Sequence, residues 1–312
     1  MRIIHDLSTA VSFKNPILTL GTFDGVHLGH QEIISSLVQE AKISGCESVL
    51  FTFYPHPRKV LYPDSFSVHL IDTIDEKIEK LEKLGLDTLI LFPFTKEFSR
   101  LTAMEFVRDI LVHTIGISEV HVGYDHQFGK NREGTFSELQ QLGEVFHFQV
   151  KQIQAVSKAN QTISSTKIRF ALMEGNLDLA NAFLGQPFQL SGKVIEGKKL
   201  GRTIGFPTAN IQVDEPEKIT PKIGVYVVEV VVENEIFKGM MSIGLNPTVD
   251  AANTLPSMEV NLLDFSGDLY GKKIKVHFLH YIREEMRFNS MEELKHQIES
   301  DEKFTRAYFS AL

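Results

Sequence analysis

Cysteine is almost missing from the chain: Cys46 stands alone. A single thiol excludes an internal disulfide and any cysteine-rich zinc site, and it fits a reducing compartment. Long apolar runs are missing too. None approaches the roughly 20 residues of a membrane-spanning helix, and the opening MRIIHDLSTAVSF lacks the apolar core of a secretion signal. The expectation is a cytoplasmic protein with no membrane partner. Positive charge is not in excess either. The formal net charge of -8 gives no general attraction to nucleic acid or to anionic lipid. No G-x-x-x-x-G-K-S/T loop, internal repeat or low-complexity tract occurs.

What is present is an ordinary globular composition, 43% hydrophobic and 23% charged, over 312 residues, long enough for two domains with a core each. From Ile17 to about Ile153, β-rich runs alternate with amphipathic segments, which predicts a parallel sheet with crossover helices. Ile33, Ile34, Leu37, Val38 and Ala41 form one helical stripe, and Ile74, Ile78, Leu81 and Leu84 another. SVLFTFY, LDTLILF and Glu119 to Gly123 predict strands, and Thr102 with Glu105 fits a capping box ahead of Phe106, Ile110 and Leu111. Gly185-Gln186-Pro187 reads as a linker between domains 1–184 and 187–312. Beyond it, glycine-punctuated β-rich runs predict a small antiparallel barrel, and Met291, Leu294 and Ile298 toward Tyr308 predict a closing helix.

The segment Gly21 to His30, GTFDGVHLGH, joins the apolar run Ile17 to Leu20 to a helical pattern. Strand, glycine-rich turn and helix start together make a phosphate cradle, because the first helical N-H groups have no intrahelical partner. His27 and His30, three apart, share a helical face and suit stabilisation of the charge that develops on an attacked phosphorus. Two histidines alone are also compatible with an ordinary surface turn. Loops after parallel strands collect ligands, so GTFDGVHLGH, Pro55-His56-Pro57 and YDHQFG are expected to converge on one pocket. In ISSTKIR, Arg169 follows Thr166 by three and Ser165 by four, so guanidinium and hydroxyls can face one anion near a helix N-terminus, although serines there also serve simply as caps.

In the second half, Thr208 and Asn210 of FPTAN place a hydroxyl and an amide oxygen two residues apart, hard ligands compatible with magnesium, or else merely a turn. Strand period puts Met258, Val260 and Leu262 on one face and Glu259 and Asn261 on the other. That is either a wet barrel face or the site of a carboxylate that takes a hydroxyl proton during phosphoryl transfer.

GTFDGVHLGH and ISSTKIR resemble the two adenylyltransferase motifs of the bacterial bifunctional riboflavin kinase and FAD synthetase family. GRTIGFPTAN and MEVNLLDF resemble its kinase motifs. The resemblance spans essentially the whole chain. It implies a Rossmann-like nucleotidyltransferase domain of α/β type, followed by a small antiparallel β-barrel with a closing helix. The barrel would phosphorylate riboflavin to FMN, and the first domain would join FMN to the AMP part of ATP, giving FAD and pyrophosphate, both with Mg2+ and ATP. The implied nucleotide contacts are Gly21, Thr22, Phe23, Asp24, Gly25 and Gly29, then Ser164, Ser165, Thr166 and Arg169, then Gly201, Gly205 and Pro207. His56, Pro57, Asp125, Phe128, Asn261, Arg283 and Phe288 would meet the flavin. Thr208 and Asn210 would hold the metal, with Glu259, His27 and His30 catalytic. His126 and Gln127 depart from the aromatic and basic pair common in the family, and Asp125 stands where Asn is frequent.

Overall fold

The structure is a computed structural model of the 312-residue chain. It describes residues 1–7, 11–63, 69–124, 126–158, 161–197, 200–213, 215–245 and 256–311, the side chains of Leu200 and Thr203 excepted. By contacts the chain divides into two compact units, Met1–Ser164 and Ser165–Leu312.

The first unit is built on β1 (Arg2–Ile4), β2 (Ile17–Leu20), β3 (Ser48–Phe53), β4 (Thr88–Phe92), β5 (Glu119–Gly123) and β6 (Gln149–Ile153). These pair in the order β1-β4-β3-β2-β5-β6, all parallel. The central strands are apolar on both faces. Leu18, Val49, Phe51 and Ile90 join one core cluster, while Ile17, Leu50, Leu89 and Leu91 join the other. A parallel sheet covered on both sides requires this doubled pattern. One cover contains α1 (Leu28–Ser44) and α3 (Ile74–Lys83), with the short α2 (Pro57–Leu61) between them in sequence. The other face is covered by α4 (Ala103–Glu105), which runs directly into a π-helix over Phe106–Ile115, and by α5 (Phe136–Phe146).

The capping box at Thr102 is present: Glu105 N-H donates to Thr102 Oγ1, and Thr102 N-H donates to Glu105 Oε2. The helix beyond this cap departs from the expected α pitch. Its wider π turn brings Phe106, Val107, Leu111 and Ile115 into the core and leaves Ile110 only partly buried. A two-stranded hairpin, β7 (Ser157–Lys158) and β8 (Gln161–Thr162), closes the unit.

The second unit opens with α6 (Ser165–Glu174) and α7 (Leu177–Leu184), then β9 (Phe188–Ile195), the single turn α8 (Leu200–Thr203), and β10 (Ala209–Gln212). It continues through β11 (Gly224–Val232), β12 (Glu235–Gly244), β13 (Ser257–Leu262) and β14 (Lys273–Arg283) to α9 (Met291–Ser310). The six strands close into an antiparallel barrel in the order β10-β13-β12-β11-β14-β9. Tyr226, Val228, Met241, Val260, Val276 and Phe278 are among its fully buried side chains.

Gly185, read from the sequence as part of a linker, lies between two elements of the second unit. It caps α7 in the left-handed conformation at φ 76, and Phe188 starts β9 three residues later. Asn181 fastens the two elements: its Oδ1 accepts the Phe188 N-H at 2.7 Å and its Nδ2 donates to the Phe278 carbonyl at 2.9 Å. Helices α6 and α7 therefore pack with the barrel. None of the described helices is long and apolar enough to cross a membrane.

Candidate active sites

Strands β3, β2 and β5 are neighbours running the same way, so the loops after them leave one edge of the sheet side by side. The central loop is the histidine segment. Its backbone is strained at two non-glycine residues, Phe23 at φ 46 and Val26 at φ 39, both buried in the core. Such conformations cost of order 1–3 kcal/mol each and persist where the surroundings over-determine them. Gly25 is at φ 89, and a Cβ there would press on Ile71 at 3.1 Å, so only glycine fits.

Buried polar ties hold the turn. The Asp24 carboxylate, 1% exposed, accepts N-H groups from Ile71 at 3.0 Å and Asp72 at 3.1 Å. Gln31 donates to the Val26 carbonyl at 2.8 Å, and Lys77 Nζ donates to the Thr22 carbonyl at 2.7 Å. Asp24 thus anchors the loop to the segment ahead of α3.

His27 is the N-cap of α1: its Nδ1 accepts the His30 N-H at 3.3 Å. In a neutral ring this leaves the proton on Nε2, as a donor. The His30 ring stacks on His27 with centroids 3.6 Å apart and planes 15° from parallel, and Phe23 flanks it at 4.8 Å. A Cβ on Gly29 would come within 3.2 Å of His27 Cε1, so this glycine leaves room for the ring. His30 Nδ1 is buried without a hydrogen-bond partner. Burial, then the charges of His27 and Lys77, hold the His30 pKa well below its usual value. His30 is therefore held as a neutral imidazole, stacked on His27 at a helix start.

In the flanking loops, His56 caps α2, accepting the Arg58 N-H at 3.2 Å, and Pro57 is that helix's first residue. Both are half-buried. Phe128 was expected beside a flavin, but it is 7% exposed and packs in the core against Phe106. Asp125 lies outside the described residues. In ISSTKIR the contact division falls between Ser164 and Ser165, and Ser165, Thr166 and Arg169 occupy the first turns of α6 in the second unit.

In the barrel, the PTAN segment and β13 come together. Thr208 Oγ1 donates to Glu259 Oε2 at 2.9 Å, Asn210 is the register partner of Glu259, and Asn261 Nδ2 donates to the Pro207 carbonyl at 2.7 Å. Asn261 is buried beside Val260 and Leu262, so the strand does not alternate as cleanly as its period implied. The loop ahead folds back on itself: Phe206 N-H donates to the Gly201 carbonyl at 2.8 Å. A Cβ on Gly201 would strike the Phe206 carbonyl at 2.1 Å, and one on Gly197 would strike the Asn210 amide at 2.0 Å. Gly205, at φ 88, completes that turn.

Arg283, expected beside a flavin, has partners within the second unit. Its Nε and Nη2 grip the Asp301 carboxylate at 2.9 and 2.7 Å and its Nη1 donates to the Glu284 carbonyl, so the guanidinium pins α9 to the end of β14. Three of the five guanidinium N-H groups are engaged in this way. Phe288 is half-buried between β14 and α9.

The sequence pattern did not single out Lys77 and Lys80, both buried on α3. The signal was available: each falls within a helical stripe that is otherwise apolar. A polar group around β5 also escaped notice. There the buried His121 Nε2 lies 2.9 Å from Glu119 Oε1 and 3.6 Å from Glu40 Oε2, with Lys151 bonded to Glu40. Burial lowers the His121 pKa despite the Glu119 hydrogen bond.

With both constellations in view, sequence comparison decides the family. The FAD synthetase family model matches residues 10–167 and the riboflavin kinase family model residues 184–309. The chain belongs to the bifunctional riboflavin kinase/FMN adenylyltransferase family. Members so named include one from Listeria monocytogenes, 41% identical over 96% of this chain and 94% of the relative. Another, from Escherichia coli K12, is 39% identical over 99% and 97%. The family is one of enzymes, and this chain carries both of its parts. A crystal structure titled macrolide-efflux protein, from Streptococcus pneumoniae, superposes with a TM-score of 0.88 at 32% identity, covering 97% of this chain and 98% of that one. Its title is at odds with the names of these relatives, but the likeness extends over both units of the fold.

Proposed function

We propose that the chain makes flavin cofactors in two steps, one per motif set: riboflavin plus ATP to FMN and ADP, then FMN plus ATP to FAD and pyrophosphate. The observation that carries this reading is that each unit holds its own polar constellation, the stacked histidines in the first and the Thr208–Glu259 pair in the second.

In the first step the riboflavin hydroxyl attacks the γ-phosphorus of ATP. Glu259, whose carboxylate has Thr208 as its partner, takes the hydroxyl proton as the new P-O bond forms and ADP leaves. Thr208 and Asn210 offer a hydroxyl and an amide oxygen, a hard-oxygen set that fits Mg2+, and Gly197 leaves the space over the Asn210 amide that a side chain would fill. When bound, the ion would neutralise phosphate charge. A hydroxyl can donate to Glu259 and still turn a lone pair to a cation.

In the second step a phosphate oxygen of FMN attacks the α-phosphorus of ATP and the bond to pyrophosphate breaks. That nucleophile is already anionic, so no protein base and no covalent protein intermediate are needed. His27 and His30 act as donors to the charge on the reacting phosphate, and the amides of the α1 first turn support them. The cytoplasm, where ATP is available, is the proposed location.

The test is chromatographic. Full-length protein with riboflavin and Mg-ATP should give FMN and then FAD, and chelation of divalent cations should stop both. His27→Ala and His30→Ala should each lower FAD formation by about 10²- to 10³-fold, the usual effect of removing one transition-state donor, while FMN still accumulates. Equal loss of both activities would refute the two-site reading.

A further inference from the structure

Behind the histidine turn, α3 carries two lysines where its apolar stripe runs. Lys77 lies three residues after Ile74 and four before Leu81, and both Lys77 and Lys80 are buried. A buried ammonium is costly unless partners replace its hydration. Lys80 has such a partner in Asp72, 2.6 Å away. Lys77 has no comparable ion pair among the described residues. One of its three donors binds the Thr22 carbonyl at 2.7 Å. Asp24 and Asp72 support its charge from a greater distance, against the lowering that burial imposes.

That carbonyl belongs to the strained part of the turn. Thr22 immediately precedes Phe23, the first of the two non-glycine residues at positive φ. Side-chain ties restrain the segment: Asp24 to the amides of residues 71 and 72, Gln31 to Val26, and both Lys77 at 2.7 Å and Thr52 Oγ1 at 3.3 Å to the Thr22 carbonyl. The Asp24 and Lys77 ties run to residues 71–77. The ionisable groups gathered there include Asp24, His27 and His30 of the turn, Asp72 ahead of α3, and the buried Glu76, Lys77 and Lys80 on α3.

We propose that Lys77 is a positioning residue for adenylyl transfer: by holding the Thr22 carbonyl it fixes the turn that presents His27 and His30 to the phosphate. The proposal rests on the adenylyltransferase reading of that turn. The ammonium has a second effect. Its charge disfavours protonation of His30, after burial and His27, and so helps to keep that ring neutral.

The experiment uses the full-length chain, in which FMN formation serves as an internal control. Lys77→Met should slow FAD formation from supplied FMN by about 10²-fold, the scale expected when a small misplacement is transmitted to reacting groups, and leave FMN formation from riboflavin within about twofold. In histidine-labelled protein, the His30 resonance, assigned with His30→Ala, should titrate at higher pH in Lys77→Met and in Lys77→Gln. That titration reports the Lys77 charge at His30, while the split between FAD and FMN formation reports its part in positioning the turn. Lys77→Arg, which keeps charge and donor, should leave the resonance in place. Wild-type FAD formation in Lys77→Met overturns the proposal, and so does loss of both activities together. If Lys77→Met does not fold, Lys77→Gln decides, because an unmoved His30 titration in it overturns the proposal. FAD formation that survives His27→Ala and His30→Ala would instead remove the reading of the turn itself, whatever Lys77 does.

Discussion

Thr208 and Glu259 are joined side chain to side chain, Oγ1 donating to Oε2 at 2.9 Å, with Asn210 opposite Glu259 in the register of β10 and β13. The hydroxyl proton is committed to the carboxylate, so the lone pairs of Thr208 point elsewhere. The Thr208 contact engages one of the two Glu259 carboxylate oxygens. One short contact thus orients both the candidate metal ligand and the candidate base.

Glu259→Gln keeps the shape and the Thr208 contact but cannot accept a proton. FMN formation should fall by about 10²- to 10⁴-fold, the range for a positioned general base, with FAD formation from supplied FMN nearly unchanged. Thr208→Val should instead raise the Mg2+ concentration needed for half-maximal FMN formation. A fully active Gln variant in a riboflavin-to-FMN assay would assign the base elsewhere.

Much of this was legible in the sequence because the signals were local. Doubly apolar strands, glycine-rich turns and the H-x-G-H spacing depend on neighbours in the chain. So does the Thr102 capping box, which appears as expected. The π-helix was not legible, because apolar residues at 106, 110 and 111 fit either pitch until tertiary packing selects one. Lys77 and the Asp301 partner of Arg283 were missed for a related reason. Whether a cation is solvated, buried or bound depends on a residue distant in sequence, Thr22 in one case and Asp301 in the other.

Arg283 and Asp301 give a second prediction. Asp301 is 4% exposed and also accepts from Gln297. Removing one partner of a buried pair strands the other, at a cost of about 3–5 kcal/mol. Asp301→Ala and Arg283→Ala should therefore both lower the Tm of the second unit. A rise in KM for riboflavin in Arg283→Ala with Tm unchanged would restore Arg283 as a flavin contact.

The buried histidines predict acid sensitivity. Burial keeps His30 and His121 neutral in the folded chain below the usual histidine pKa of about 6.5. In that window the unfolded chain binds more protons than the folded one. Their contribution to stability is therefore present above about pH 6.5 and lost as pH falls below it. Tm should drop between pH 7.5 and 5.5, and the drop should be smaller in His30→Phe. An identical pH dependence in that variant would mean that His30 is not held neutral.

The last prediction concerns where the chain can be cut. The texture of the sequence puts the boundary at Gly185-Gln186-Pro187, and the riboflavin kinase match begins at residue 184. Contacts divide the chain earlier, after Ser164. The difference is α6 and α7. Phe183, Leu184 and Ala180 are fully buried, and Asn181 bonds both Phe188 and Phe278 of the barrel. Burial of a Phe or Leu side chain is worth about 1.5–3 kcal/mol. Losing two or three such contacts removes several kcal/mol from a domain whose whole stability is about 5–15 kcal/mol. A fragment from Ser165 should therefore unfold cooperatively and convert riboflavin to FMN with Mg-ATP, since it retains Thr208, Asn210, Glu259 and α9. It should make no FAD, because it lacks the histidine turn. A fragment from Pro187 has the same reacting groups but should show a lower Tm and poorer solubility, with its kinase activity recoverable at low temperature. The decisive measurement is the pair of thermal unfolding curves beside FMN formation. Equal Tm values would place the folding boundary at Pro187. A stable Ser165 fragment that binds riboflavin but makes no FMN would show that the kinase needs residues from the first unit.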